Sequence, residues 1–140
     1  MKTKEKNILK RVTGIGGIFF KSKDPKSLKE WYNEHLGIPS EKYGWSFHWL
    51  DENEKDEKGY TVWSPFPKDS NYFQPTEKEF MVNFRVDDLY ALLEELKKEG
   101  VRVIDETEES EFGKFGWIID PDGTKIELWE PPKPGKKPKK

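Results

Sequence analysis

Cysteine is absent from the 140-residue sequence, and hydrophobic residues are scarce at 33%. Without cysteine the chain can form no disulfide, thiolate metal site or thiol nucleophile. The sequence also lacks any long apolar run, so it predicts neither a membrane span nor a signal peptide. A cytoplasmic protein of one domain, or of two small packed halves, is therefore expected.

Charged and aromatic side chains are abundant instead. They make up 37% and 14% of the chain, with six tryptophans, so we expect a core that depends on a few large rings. Residues 1–11 are net +4 and residues 131–140 net +5, whereas the whole chain is −2, which leaves −11 on the body between them. That acidic body disfavours nucleic acid as a partner. Residues 1–11 are interpreted as a basic tail, and residues 133–140 as a disordered Lys/Pro tail.

A β-hairpin is predicted near the end of the chain. The Asp-Pro-Asp-Gly run at 120–123 suits a type I turn that glycine closes in the left-handed region. Side chains then alternate, with Ile126 and Leu128 on one face and Glu127 and Trp129 on the other. If this second face lines a cavity, Glu127 is its candidate reactive or metal-binding group.

The two halves of the chain carry a weak internal repeat. The strand-like run 17–24 resembles 81–88, and each run ends in an aspartate that can cap a helix. Each helix pattern stops at a glycine, Gly37 or Gly100, so the copies are offset by 63 or 64 residues. This repeat predicts an α+β chain of βαββ followed by βαβββ. Two unrelated βα units in one domain are the alternative.

Periodicity and turn residues place the other elements. Strands are expected at 12–21, 45–50, 60–65, 80–86 and 101–104 and in the terminal hairpin, with helices after Asp24 and Asp88. The run 67–75 is interpreted as irregular and the run 105–111 as an acidic loop.

The chain resembles the glyoxalase / bleomycin-resistance / extradiol-dioxygenase superfamily, also called the vicinal oxygen chelate (VOC) superfamily. The likeness rests on the strand that leads into Asp24-Pro25, on the Phe-Arg-Val-Asp-Asp-Leu run at 84–89, and on residues 115–131 with their Asp-Pro-Asp-Gly turn. The last block looks like that of small single-chain, glyoxalase-related members.

This resemblance implies one glyoxalase-like domain over residues 12–132. Its two βαβββ-type modules would span about 12–76 and 77–132 and would form a curved mixed sheet around a shared pocket. We expect a small-molecule ligand in that pocket, and we expect neither nucleic acid nor a membrane as a partner.

The resemblance also implies a divalent metal, with Zn, Ni, Fe or Mn as candidates. Such sites take a His near the start of each module's first strand and a Glu on each last strand. Here the two His positions fall on Gly17 and Met81, and the first module's last strand carries Val62 and Ser64 where a glutamate is expected. Glu127 alone matches. Because a catalytic zinc takes about three protein ligands, no metal cofactor is expected.

Strand alternation assigns candidate ligand-binding side chains to the pocket face. If Gly17 and Met81 face the pocket, the residues two and four positions further on do so too. Alternation gives Phe19, Met81, Asn83, Arg85 and Trp129 as expected ligand-binding residues. Trp63 and Trp117 are added to this set as rings that could stack on a flat ligand. For Trp63 and Trp117, core packing is the alternative to stacking on a flat ligand.

Glu127 and His48 are the candidate catalytic residues. Glu127 is interpreted as a general base or ligand anchor, or else as half of an ion pair with Arg85 or Lys125. His48 is a candidate acid–base group, or else a solvated residue at the sheet edge. Arg85 is also a candidate for bidentate binding of a substrate carboxylate.

Three functions are compatible with the sequence. The favoured hypothesis is a small-molecule binding protein or a metal-independent enzyme with a degenerate metal site, whose small ligand is partly aromatic and has one polar or anionic group. The second is a metal-dependent lyase, isomerase or dioxygenase, whose ligands would have to include His48 and Glu127. The third is a bleomycin-type drug-binding resistance protein, which would work as a homodimer and needs no catalysis.

Overall fold

The computed structural model describes residues 11–39, 41–50 and 58–132. One helix follows the first strand of each half, as the repeat predicts. In chain order the elements are β1 (Val12–Ser22), α1 (Pro25–Leu36), β2 (Trp45–Leu50), β3 (Lys58–Pro67), β4 (Phe80–Val86), α2 (Leu89–Lys98), β5 (Arg102–Ser110), β6 (Gly113–Ile119) and β7 (Lys125–Glu130). Apart from Arg11, both tails expected from composition lie outside the described residues.

These strands form one mixed, curved sheet in the order β2-β3-β1-β4-β7-β6-β5. β1 and β4 lie antiparallel at the centre, and each has a parallel partner on its other side, β3 or β7. The central register pairs Gly17 with Asn83 and Phe19 with Met81. A shift of 64 residues exchanges these two pairs, so the sequence repeat corresponds to a local two-fold relation. The predicted α+β fold of two modules is confirmed.

Both helices begin at an aspartate cap. The Asp24 carboxylate accepts a hydrogen bond from the backbone N–H of Ser27, and the Asp88 carboxylate accepts one from Ala91. Each bond satisfies an amide that the first helical turn leaves unpaired. The sequence predicted both caps.

The two helices cover the same face of the sheet. α2 buries Leu89, Leu92 and Leu93 in a cluster that includes Leu128 of β7. On α1, the ring of Tyr32 lies 4.6 Å from that of Trp63 on β3. Neither helix is long and apolar enough to cross a membrane. The opposite face, which we call the inner face, holds the candidate site.

The terminal hairpin has the predicted turn. The Asp120 carboxylate accepts two backbone N–H groups of the turn, each at 2.9 Å, and Gly123 has a φ of +84°. The turn fixes the register of β7, so that Glu127 pairs with Asn83 of β4 on one side and with Trp117 of β6 on the other. Local turn chemistry therefore helps to position the carboxylate.

The prediction of an acidic loop at 105–111 is wrong. Most of this run belongs to β5, which pairs with β6 and places Glu109 opposite Lys114. β5 lies at the edge of the sheet, where charged side chains are common because they discourage pairing with another chain. The many charged side chains, from which a loop was predicted, are typical of an exposed edge strand.

Candidate functional site

A cavity of about 920 Å³ opens on the inner face between the two modules. The first module contributes Phe19 of β1 and Tyr60 of β3, and the second contributes Asn83, Glu127 and Trp129. Exposed residues before β2 and on it, among them Lys42 and His48, lie at its mouth. We call this space the inter-module cavity.

Glu127 is the buried carboxylate of the inter-module cavity, with only 2% of its surface exposed. Asn83 Nδ2 donates to Oε1 at 2.7 Å, and Trp117 Nε1 donates to Oε2 at 2.9 Å. The hydroxyl of Tyr72 also donates to Oε2. Burial raises the pKa of Glu127, and these hydrogen bonds oppose that rise.

Tyr72 comes from the irregular segment between β3 and β4. Its ring stacks on Phe66 with centroids 5.7 Å apart, and Lys125 Nζ donates to its carbonyl oxygen at 2.7 Å. Burial, with the nearby charge of Glu127, raises the pKa of the Tyr72 phenol. The phenol therefore stays protonated and remains a donor to the carboxylate.

Asn83 has a second role in the cavity lining. Its amide nitrogen donates a hydrogen bond to Glu127, whereas its Oδ1 is buried and has no hydrogen-bond partner among the described residues. The absence of a side chain at Gly16 makes room for this amide, since a Cβ there would lie 2.2 Å from Oδ1 and 2.9 Å from the Trp129 ring. Oδ1 is thus an acceptor left for something else to satisfy.

Aromatic rings form one wall of the inter-module cavity. The Trp129 ring lies 5.2 Å from Tyr60, and it stacks on Phe115 with centroids 6.4 Å apart and planes 17° apart. Trp129 Nε1 donates to the carbonyl oxygen of Phe112 at 2.7 Å. Because its N–H is engaged, this indole has no hydrogen-bond donor left for a ligand.

Comparison with known proteins assigns the fold to a family. Residues 17–129 match the sequence model of the glyoxalase-like domain family. The chain belongs to this family. The VOC superfamily expected from the sequence motifs is confirmed.

Solved structures similar to this glyoxalase-like protein include two methylmalonyl-CoA epimerases. The one from Mycobacterium tuberculosis is 20% identical with a TM-score of 0.60, over 95% of this chain and 94% of that chain. A Streptomyces coelicolor variant in complex with 2-nitronate-propionyl-CoA is 17% identical with a TM-score of 0.64, over 87% and 99%.

A third similar structure, the Mn(II)-bound glyoxalase from Novosphingobium aromaticivorans, is 19% identical with a TM-score of 0.59. The match covers 87% of this chain and 40% of that chain. At such identities the three structures show the fold alone. No curated protein matches the sequence.

The metal positions implied by the superfamily do not make a metal site in this glyoxalase-like protein. The strand register makes Ser64 of β3 the counterpart of Glu127 of β7, because the two pair with equivalent residues of β1 and β4. With Gly17 and the fully buried Met81 in the other two places, the set offers one carboxylate. Within the described ranges, no three His, Asp or Glu side chains come close enough together to hold a metal.

Several expected ligand-binding residues lie elsewhere. Trp63 packs on the helix-covered face against Tyr32 and Phe20, because its strand position is one residue out of phase with Val62, which lines the cavity. We therefore withdraw Trp63 from the ligand-binding set.

Met81 and Trp117 do lie on the inner face, but they are buried in a cluster with Phe19 and Phe73. Neither lines the inter-module cavity. Their position under Phe73 explains this, because the segment before β4 covers that part of the sheet. Trp117 acts instead through its N–H, which holds Glu127.

Arg85 is buried beside the cavity and does not line it. Its Nη1 donates to Thr13 Oγ1 at 3.0 Å, and its guanidinium lies 5.5 Å from the ring centroid of Trp49. Among the described residues the hydrogen-bond partners of Glu127 are all uncharged, so the ion pair with Arg85 or Lys125 that the sequence left open is not formed.

His48 lies at the mouth of the cavity with its ring 5.4 Å from Tyr60. Three residues that shape the site were missed from the sequence: Tyr60, Tyr72 and Phe115. Alternation along β3 and β6 could have found Tyr60 and Phe115. Tyr72 lies in an irregular segment, where no periodicity indicates which way a side chain faces.

Proposed function

We propose that this glyoxalase-like protein binds a small, partly aromatic molecule in the inter-module cavity, with Glu127 as the polar anchor. The observation that carries the proposal is a buried carboxylate, held by three uncharged donors, in a cavity with aromatic walls. Such cavities, mostly apolar with a few placed polar groups, are typical small-molecule sites.

The energetics of Glu127 support this assignment. A carboxylate buried without a cationic partner is destabilising, whereas an apolar side chain in its place would be favourable. Three separate elements nonetheless converge on it, through Tyr72, Asn83 and Trp117. A costly group kept at a cavity surface is a functional-site candidate.

The donor chemistry supports binding that needs no metal at the superfamily positions. A glycine, a serine and a buried methionine stand where three of the four ligands are expected. We therefore propose a degenerate metal site, although a similar fold binds Mn(II) in the glyoxalase named above.

A metal-independent enzyme that moves a proton is the second candidate. Burial raises the pKa of Glu127 towards the range in which a carboxylate is an effective general base. In this version Glu127 accepts a proton from the bound molecule. Asn83, Tyr72 and Trp117 hold the carboxylate in place and stabilise its charged form.

A thermal-shift screen with small aromatic molecules tests the proposal, since a ligand that binds only the folded state raises Tm. Two tryptophans on opposite faces give a matched pair. A shift seen with the wild type should be lost in Trp129→Leu and kept in Trp63→Leu, each measured against its own unliganded Tm. A shift that survives in both variants, or the absence of any aromatic ligand, would contradict the proposal.

A further inference from the structure

One buried acceptor at the inter-module cavity has no donor within the described part of the chain. Glu127 presents two carboxylate oxygens to three donors, and Asn83 Oδ1 is buried without a partner among the described residues. The N–H of Trp129 is already engaged by a backbone carbonyl. A ligand that reaches these groups therefore meets acceptors.

The aromatic wall of the cavity also favours ligands with a donor or cationic group. The rings of Tyr60, Phe115 and Trp129 line the same cavity as Glu127. An aromatic face carries partial negative charge and attracts cations. The aromatic wall and the carboxylate of Glu127 therefore both favour a cationic group on the ligand.

The ammonium group of Lys42 at the mouth acts only weakly against this preference. Lys42 is exposed, so water and salt screen its charge. The Lys42 ammonium also lies 5.3 Å from the ring centroid of Tyr43. Glu127 is buried, and its field inside the cavity is screened much less.

From these contacts we infer that the inter-module cavity selects ligands whose polar end donates hydrogen bonds or carries positive charge, such as an ammonium group on an aromatic body. This inference rests on the proposed function and narrows it. An aromatic carboxylate would place a second anion beside Glu127, which opposes binding, and it could donate no hydrogen bond to Asn83 Oδ1.

Three probes that share one ring system test this selectivity on the wild-type protein: naphthylmethylammonium, naphthylmethanol and naphthoate. Calorimetric titration at pH 8 should rank them in that order, with the ammonium binding at least about tenfold more tightly than the carboxylate. The comparison needs no variant, so it does not depend on how a substitution affects folding.

Two glutamate variants locate the effect. Glu127→Gln should weaken ammonium binding about tenfold and change naphthylmethanol binding by less than about threefold. Glu94→Gln removes the same charge from the exposed side of α2 and should leave all three affinities unchanged.

The outcomes separate the two proposals. Naphthoate binding as tightly as the ammonium would overturn the inference and leave the proposed function standing. Ammonium binding unaffected by Glu127→Gln would also overturn the inference. If no probe binds the wild-type protein up to its solubility limit, the proposed function fails together with the inference.

Discussion

At the residue scale, the site depends on one carboxylate whose neighbours tolerate its charge without neutralising it. Asn83, Tyr72 and Trp117 each donate one hydrogen bond to Glu127. Hydrogen bonds to a charged acceptor are stronger than neutral ones, yet burial still raises the pKa of Glu127. Desolvation therefore outweighs the three bonds.

This balance predicts how stability changes with pH. Burial raises the pKa of Glu127 above its ordinary value of 4.5, so the folded state holds the proton more tightly than the unfolded state. The resulting stabilisation is complete below the unfolded pKa and is lost as pH rises through the folded pKa. Glu127→Gln removes this titration, so its unfolding free energy should fall less than that of the wild type between about pH 5 and about pH 8.

Urea unfolding at both pH values, for the wild type and the variant, measures the difference. The titratable groups near Glu127 are Tyr72, which stays protonated and therefore neutral, and Lys125, whose pKa burial lowers, and both are common to the two proteins. Glu94→Gln should follow the wild type, because Glu94 is exposed. Equal slopes for the wild type and Glu127→Gln would contradict the prediction.

Strand alternation could predict part of the site. The period of two placed Phe19, Asn83, Glu127 and Trp129 on the inner face, and all four line the cavity. Alternation reports which face a side chain takes, but not what covers that face. Met81 was therefore expected in the pocket, although it is fully buried.

At the element scale, the irregular segment between β3 and β4 completes the site. It brings Phe73, which is fully buried, and Tyr72 over the inner face. The segment adds no strand to the sheet, yet it supplies the hydroxyl that reaches Glu127 from outside the sheet. Its side chains therefore link the covering segment to β7.

Two tyrosine-to-phenylalanine variants test this link. Tyr72→Phe removes the buried donor to Glu127 and keeps the ring, so we expect a loss of about 1–3 kcal/mol in unfolding free energy. The control Tyr90→Phe removes a similar bond to exposed Glu109 and should change stability by less than about 0.5 kcal/mol. Chemical denaturation of both variants and of the wild type at neutral pH measures these losses in unfolding free energy. Equal losses would contradict the prediction, because the buried bond to Glu127 would then contribute no more to stability than the exposed bond to Glu109.

Elements with local signals could be predicted from sequence, and those without could not. The caps at Asp24 and Asp88 and the turn at 120–123 depend on residues close in sequence, and the structure has all three. β5 depends instead on pairing with β6 at the sheet edge, and its charged run gave no sign of that partner. The position of Tyr72 likewise depends on contacts distant in sequence.

At the scale of the whole molecule, two related modules meet with their central strands antiparallel. Each module supplies lining residues of the cavity, Phe19 and Tyr60 from the first and Asn83 and Trp129 from the second. The two modules have the same strand arrangement but different side chains. Ser64 and Glu127, for example, occupy equivalent positions and differ in chemistry. The fold therefore provides the cavity, and the residues that differ between the modules determine what it can bind.

This difference predicts that the protein binds no metal tightly between its modules. The four equivalent positions hold Gly17, Ser64, Met81 and Glu127, which together provide fewer than the three or so protein ligands that a catalytic zinc takes. Protein purified without chelators should contain no stoichiometric metal by elemental analysis. Added Zn²⁺, Mn²⁺ or Ni²⁺ should leave its Tm unchanged, because only an ion that prefers the folded state raises it. Glu127→Gln serves as the control, and one equivalent of metal that is present in the wild type and lost in this variant would show that the inter-module positions bind an ion after all.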